Sequence, residues 1–325
     1  MSAREQMPML ATLGTRPFSD PDWLFEVKYD GVRVLAERTG GEVALFGRRG
    51  QRVTSRYPEV AEALGALSAA RFVLDGEVVA LDGEGRPSFQ RLQPRMHVSR
   101  PADVARLRAI IPVRGVFFDA LALEGHDLRA LPLVQRKALL ARLLPARGVV
   151  SYGDHVREHG EAFFAAAEEH RLEGIVAKRG ASAYRGGRTR DWVKIKCQQR
   201  QAFVIGGYTD PKGARARFGA LHLGLYAAGA LVYVSRVGTG FDGGRLEDLW
   251  ARLTPLRRTA SPFAVGSPRG RGHHWVEPSL VAEVRFTEWT DDGGIRHPTF
   301  LGLRDDKRPE ECRREVPAAI SPPAS

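Results

Sequence analysis

Lys28 stands in the octet Glu26-Val27-Lys28-Tyr29-Asp30-Gly31-Val32-Arg33, in a chain that hardly uses lysine. Of its 49 basic residues seven are lysine and 42 arginine, so arginine serves wherever charge alone is needed. A lysine can do what an arginine cannot, which is lose its proton and attack an electrophile. Five of the seven (Lys28, Lys178, Lys194, Lys196 and Lys307) lie in short motif-like stretches, while Lys137 falls in a helical pattern and Lys212 in a basic loop. A protonated lysine, with a reference pKa of ~10.4, is a poor nucleophile. Nearby cations and desolvation lower that value. Lys194 and Lys196 alternate on one strand and so share a face. A site holding Lys28, Lys194 and Lys196 would bind phosphate and disfavour the charged form of Lys28. Asp30 shares that face if the strand stays regular, and Gly31 lets backbone or ligand come close. The bland alternative is a surface strand with a mixed-charge face.

The elements that must position these residues can be read from pattern. Residues 24–47 read as a hairpin, extended from Leu24 to Glu37, turning at Thr39-Gly40-Gly41 and returning over Glu42 to Phe46. A short helix is expected over 57–68, and strands over Phe72 to Leu81 and Val113 to Leu123. Leu133, Val134, Leu139, Leu140 and Leu143 recur at helical spacing between Pro132 and Pro145. A second helix fits 159–171, and Gly174 to Arg179 and Asp191 to Cys197 read as strands around a basic turn. After Cys197 the texture changes. Gln198-Gln199-Arg200-Gln201 reads as a hinge, followed by strands at 202–208, 220–227, 230–237 and 281–290 and a helix near 245–253. Several short strands and one helix suit a small barrel such as the OB-fold. The division expected is a catalytic domain over 1–197, a hinge over 198–201, a barrel over 202–312 and a disordered tail over 313–325.

Composition narrows the function. At 325 residues and 43% hydrophobic, the chain can build two cored domains. A net charge of +11 and a pI near 10.1 point to a polyanionic partner, nucleic acid before membrane. Two cysteines, Cys197 and Cys312, make neither a disulfide framework nor a ligand cluster, which fits a reducing cytoplasm. No secretory signal pattern and no membrane-length apolar run is present, so a soluble, nucleoid-associated protein is expected.

The ordered motifs carry a family resemblance. Lys28-Tyr29-Asp30-Gly31-Val32-Arg33 resembles motif I of the covalent nucleotidyl transferases, which include ATP-dependent DNA ligases, RNA ligases and capping guanylyltransferases. Gly47-Arg48-Arg49-Gly50 resembles motif Ia, Leu74-Asp75-Gly76-Glu77-Val78-Val79 motif III, and Phe117-Phe118-Asp119 motif IIIa. Glu173-Gly174-Ile175-Val176-Ala177-Lys178 resembles motif IV and Trp192-Val193-Lys194-Ile195-Lys196 motif V. Arg296-His297-Pro298 and Arg304-Asp305-Asp306-Lys307 resemble motif VI, so the likeness runs from Pro8 to about Cys312. Within the family the text is most similar to the ligase module of bacterial ligase D, which serves non-homologous end joining. The pointers are Phe25-Glu26-Val27-Lys28, the run Phe118 to Arg136, and Glu288-Trp289-Thr290-Asp291-Asp292-Gly293. Gly47 departs from that pattern, where a serine is common, and drops a hydroxyl beside Arg48. The zinc site of NAD-dependent ligases needs four cysteines, which this chain lacks.

The resemblance implies an α+β protein, an ATP-grasp-like nucleotidyltransferase domain followed by an OB-fold, that seals 5′-phosphate/3′-hydroxyl nicks through a lysyl-AMP intermediate. It implies that Lys28 attacks the α-phosphorus of ATP, that Glu77 accepts from the ribose hydroxyls and that Phe118 stacks on adenine. Glu26 would help recognise the base, and Lys178 belongs to the same ATP site. Glu173 would be the carboxylate for Mg²⁺ or Mn²⁺. Lys194 and Lys196 would steady the α-phosphate, Arg33 and Arg48 would hold sugar and the 5′-phosphate, and Arg304 and Lys307 would orient pyrophosphate. That last role requires the barrel to swing onto the nucleotide. The implied partner of a monomer is double-stranded DNA with nicks or ends, with Ku and a separate end-processing polymerase or nuclease as candidates. Two alternatives are an RNA ligase or GTP-dependent capping enzyme, and a non-catalytic nucleic-acid-binding module.

Other features read as bland or peripheral. His155 and His159 suit a solvated helix start, and His273-His274 the end of a mobile basic loop. Arg185, Arg188 and Arg190 form a basic turn that suits a DNA phosphate, as do Lys212, Arg215 and Arg217 unless they are a solvated loop.

Overall fold

The extended run expected from Leu24 to Glu37 is broken at Lys28–Gly31, and the break carries the chain from one sheet into another. A computed structural model describes residues 2–197, 199–211, 217–268 and 270–316, which divide after Cys197 into two compact units. The first unit opens with β1 (Met9–Leu13), β2 (Asp20–Val27), β3 (Val32–Thr39), β4 (Glu42–Gly47), α1 (Pro58–Gly65) and β5 (Phe72–Ala80). There follow α2 (Phe89–Met96), α3 (Pro101–Ile110), β6 (Val113–Leu123), β7 (His126–Asp127) and α4 (Leu133–Leu143). It closes with β8 (Val150–Tyr152), β9 (Val156–Glu158), α5 (Gly160–Glu169), β10 (Gly174–Arg179) and β11 (Gly187–Lys196). One sheet has the order β1-β11-β10-β2-β9 and the other β4-β3-β5-β6-β7, with β8 alongside β6.

Alternation along β11 explains how the first sheet presents a site. Val193 and Ile195 turn to a core with Phe25, Ile175 and Ala167 of α5. Trp192, Lys194 and Lys196, one residue out of step, fall on the other face. Each fully buried Phe or Ile on the covered face contributes about 1.5–3 kcal/mol, which pins the register of the opposite face. The break after β2 has a steric cause: a Cβ on Gly31 would lie 2.2 Å from the Val78 carbonyl oxygen. Asp30 therefore does not share a face with Lys28, as a regular strand would require. Its carboxylate instead accepts from the Phe89 amide at 3.0 Å, at the electropositive start of α2.

Pattern reading missed α2 and α3. Ser88 caps α2 by accepting from the Arg91 amide, and α3 starts at Pro101 on its first turn, both local signals for a helix start. The strand expected from Asp191 begins at Gly187, so Arg188 and Arg190 lie on β11 and not in a free turn.

The second unit contains β12 (Arg200–Thr209), β13 (Leu221–Ala227), β14 (Ala230–Val237), α6 (Gly243–Leu253), β15 (Arg257–Arg258), β16 (His273–Arg285) and β17 (Thr299–Leu303). The pairings between these strands are antiparallel, in the order β14-β13-β12-β16-β15 with β17 also on β16. Here β16 runs from His273 to Arg285, not over 281–290, so His273 and His274 are strand residues. Arg200 and Gln201, expected in the hinge, are buried in β12, and Arg200 pairs with Glu283 at 3.6 Å. Gln201 also fastens Arg313 and Glu315, so the chain is held past the point where a loose tail was expected. Lys212 and Arg215 lie outside the described residues. Among the described residues both cysteines are free, and no helix is long and apolar enough to cross a membrane.

Candidate active site around Lys28

Three neighbouring strands put the first sheet's polar residues in rows. Glu26, Val176 and Lys194 are register partners across β2, β10 and β11. The next row is Lys28, whose amide donates to the Gly174 carbonyl at 2.9 Å, then Gly174, then Lys196. Glu173 stands just before β10 and ion-pairs with the Lys28 ammonium. The pair is partly sheltered, with the lysine side chain 20% and the carboxylate 8% exposed. Gly174 is required here. Its φ is +149° and a Cβ would meet the Ile195 carbonyl oxygen at 2.1 Å. The structure therefore brings Lys28, Glu173, Lys194 and Lys196 to one end of one sheet face.

Behind that row lies a buried ionic network. Glu26 accepts from Lys137 at 2.7 Å and pairs with Lys178 at 2.6 Å, and Lys137 also donates to the Gly153 carbonyl at 2.7 Å. Burial alone would raise the Glu26 carboxyl, but the two ammonium groups overcome it and hold it below its ordinary value. The Lys178 ammonium lies 4.1 Å from the ring centroids of both Phe118 and Trp192. Burial brings Lys178 down to about 8. The sequence reading missed Lys137, although its own observation, the scarcity of lysine, applies to it equally.

That shift has a pH consequence. Because the folded value lies below the ordinary 10.5, the unfolded chain holds the extra proton between the two. This group therefore adds to stability as pH rises from about 8 to 10.5, and the gain is absent below 8. Lys178→Met should flatten that alkaline limb in urea-midpoint measurements taken across the range. An identical slope in the variant would count against the assignment.

The remaining expected residues fall into three groups. Arg33 is gripped by Asp75 through Nε at 2.5 Å and Nη2 at 2.6 Å, and its guanidinium lies 4.5 Å from the Phe118 centroid. Asp75 is fully buried and also accepts from the Tyr184 hydroxyl at 2.6 Å. Arg33 is thus not an outward phosphate hook, and Phe118, itself buried, faces two cations and not open space. Glu77, half-buried, is the register partner of Arg33 and stands close to Gly31, while Arg48 occupies the turn after β4.

In the second unit the Arg304 fork is held by Asp306 at 2.7 Å through both nitrogens and by Glu283 at 2.8 Å. Lys307 follows on the same turn, its ammonium lowered by burial and by Arg304. Arg185, Arg188 and Arg190 are exposed, with Arg188 donating to the Ala11 carbonyl at 2.7 Å, and Arg217 pairs with Glu247 at 2.9 Å. His155 bonds to Tyr152 at 3.1 Å. Among the described residues no three His, Cys, Asp or Glu side chains cluster as a metal site.

Comparison with known proteins adds the rest. The ATP dependent DNA ligase domain model matches residues 8–196, and that of the ATP dependent DNA ligase C terminal region matches 214–307. The chain is 40% identical over 322 residues to the multifunctional non-homologous end joining protein LigD of Pseudomonas aeruginosa, covering 97% of this chain and 37% of that protein. It is 35% identical over 301 residues to a probable DNA ligase of Streptomyces coelicolor, covering 88% and 57%. The chain thus spans only 37–40% of the length of its LigD relatives. Among solved structures it is similar to mycobacterial DNA ligase D complexed with ATP and MES, with a TM-score of 0.70 and 36% identity over 97% of this chain and all of that one.

Proposed function

Because the chain belongs to the ATP-dependent DNA ligase family, a nucleotidyltransferase domain followed by an OB-fold, we propose that it joins DNA through an adenylate carried on Lys28. As a member it is an enzyme, a DNA ligase, with ATP as co-substrate and a divalent cation, Mg²⁺ or Mn²⁺. The observation that carries the reading is the sheltered Lys28–Glu173 pair, with Lys196 in the same row and Lys194 one row away. Lys28 gives up its proton, attacks the α-phosphorus of ATP and expels pyrophosphate. The AMP then passes to a DNA 5′-phosphate, and the 3′-hydroxyl displaces it to close the strand. Lys194 and Lys196 balance the charge building on the α-phosphate, since phosphoryl chemistry of this kind rests on positioning and electrostatics.

A single carboxylate, Glu173, fits a hard cation that takes most of its ligands from phosphate oxygen and water. When bound, that cation would neutralise phosphate charge. Glu77 is assigned the ribose hydroxyls. Glu26 and Phe118 are assigned the base side, with Lys178 and the Asp75-held Arg33 packed against the Phe118 ring, and Arg48 is assigned the 5′-phosphate. Arg304 and Lys307 are assigned the pyrophosphate, with Asp306 and Glu283 fixing the Arg304 fork.

Both matching models are DNA ligase models, which favours this reading over an RNA ligase, a capping enzyme or a bare binding module. The names of the LigD relatives favour DNA ends in non-homologous end joining as substrate. Ku and a separate polymerase or nuclease remain the proposed companions. In a test with labelled nucleotides, ATP and not GTP should label the protein covalently, and a nicked DNA duplex should be sealed in preference to RNA. Labelling by GTP alone, or sealing of RNA alone, would overturn the proposal.

A further inference from the structure

The second unit holds a cavity of about 420 Å³ whose lining includes, of the residues assigned above, Arg217 alone. That is within the size range of about 300–1,000 Å³ common to small-ligand sites. Its walls are stacked rings. Tyr208 and His274 lie face to face with centroids 5.0 Å apart, Trp250 meets Tyr208 edge-on at 5.5 Å, and His273 lies parallel to Trp275 at 6.0 Å. Over these rings stands Arg257, its guanidinium 4.9 Å from the Trp250 centroid.

Two features of this cavity go beyond ordinary packing. Arg257 is exposed and, among the described residues, has no carboxylate partner, whereas its neighbours Arg217 and Arg258 are paired with Glu247 and Glu277. Tyr208, which lines the cavity and is only 2% exposed, has a buried hydroxyl with no hydrogen-bond partner among the described residues. A buried hydroxyl without a partner is costly unless something completes it. The acid at this site, Asp210, is tied to His274 at 2.6 Å, which leaves the guanidinium groups to set the charge.

Flat rings beside an unpaired guanidinium suit one chemistry, a nucleobase with its phosphate. Bases inside a duplex are stacked on their neighbours and cannot enter a cavity, so the occupant must be unpaired. We propose that this site takes one unpaired nucleotide of a DNA end. The inference rests on the reading of DNA as substrate and adds to it a preference among ends. The nucleotide's base lies against His274 and Trp250, and Arg257 meets its phosphate.

The test uses the full chain and labelled DNA in fluorescence anisotropy at fixed salt. One duplex is blunt and the other carries a short single-stranded thymidine tail. The tailed duplex should bind about tenfold more tightly, the scale of one base stacked on aromatic groups. Arg257→Ala and His274→Ala, both at exposed positions, should each bring the tailed duplex toward the blunt value while leaving blunt-duplex binding and covalent labelling by ATP as in the wild type. Equal binding of both duplexes by a wild type that still seals nicks overturns this inference alone. So does a tail preference that survives in both variants. A wild type that neither takes up AMP nor seals nicks overturns the ligase reading, and this inference with it.

Discussion

Lys28→Ala should acquire no covalent AMP from labelled ATP, and its sealing of an ordinary nick should fall by at least about a thousandfold, the scale of losing a nucleophile. No other lysine of the first unit stands ready to replace it. Lys137 and Lys178 are buried against Glu26, and Lys194 and Lys196 project from a different strand. A structural role for the Lys28–Glu173 pair would also lower activity, so a second variant is needed. Lys28→Arg keeps a cation opposite Glu173 but cannot lose its proton. If Lys28 only holds Glu173 in place, the arginine variant should recover much of the activity. If Lys28 is the nucleophile, both variants stay silent with ATP yet retain sealing of a nick whose 5′-phosphate is already adenylated. Covalent AMP on the alanine variant would end the proposal.

The chemistry of this chain is more legible in its sequence than the machinery that holds it. Lys28, Glu173, Lys194 and Lys196 announce themselves by residue type and spacing, because the nucleophile and its phosphate-binding company sit in contiguous motifs. Their partners do not. Lys137 meets Glu26 across 111 residues, Tyr184 meets Asp75 across 109, and Arg136 reaches Ser182 across 46. No local pattern encodes such pairings, so Arg33 read as a phosphate ligand when Asp75 already holds it. The break at Asp30-Gly31 was hidden for a similar reason, since alternation describes one strand and not a change of sheet. Even so, α2 and α3 could have been found from Ser88 and Pro101, which are ordinary start signals. Lys137 could have been found by applying the lysine argument to all seven lysines.

The largest stability effect should come from Arg136, a residue with no direct part in the chemistry. Its guanidinium and the Asp119 carboxylate are both fully buried, joined at 2.7 and 2.9 Å. The same guanidinium donates to the Leu131 carbonyl at 2.5 Å and to the Ser182 carbonyl at 2.9 Å, tying the start of α4 to the turn after β10. Burial raises the Asp119 carboxyl even with Arg136 beside it, so its charge depends on the partner. Arg136→Met keeps the volume and strands that charge, which costs about 3–5 kcal/mol, against a typical total of about 5–15 kcal/mol. The double variant Arg136→Met/Asp119→Leu removes the stranded charge and should recover part of the loss. Recovery stays incomplete because the part-buried Leu131 carbonyl loses its donor, at about 1–3 kcal/mol, while the Ser182 carbonyl keeps the Leu133 amide at 3.0 Å. Urea midpoints of the wild type, the single and the double variant measure this directly. A single variant within about 1 kcal/mol of wild type, or a double no more stable than the single, would show that the pair does not hold this region. Because Asp119 adjoins Phe118 on β6, the stability lost in the single variant should be accompanied by weaker ATP uptake in the fraction still folded, and the double variant should restore both together.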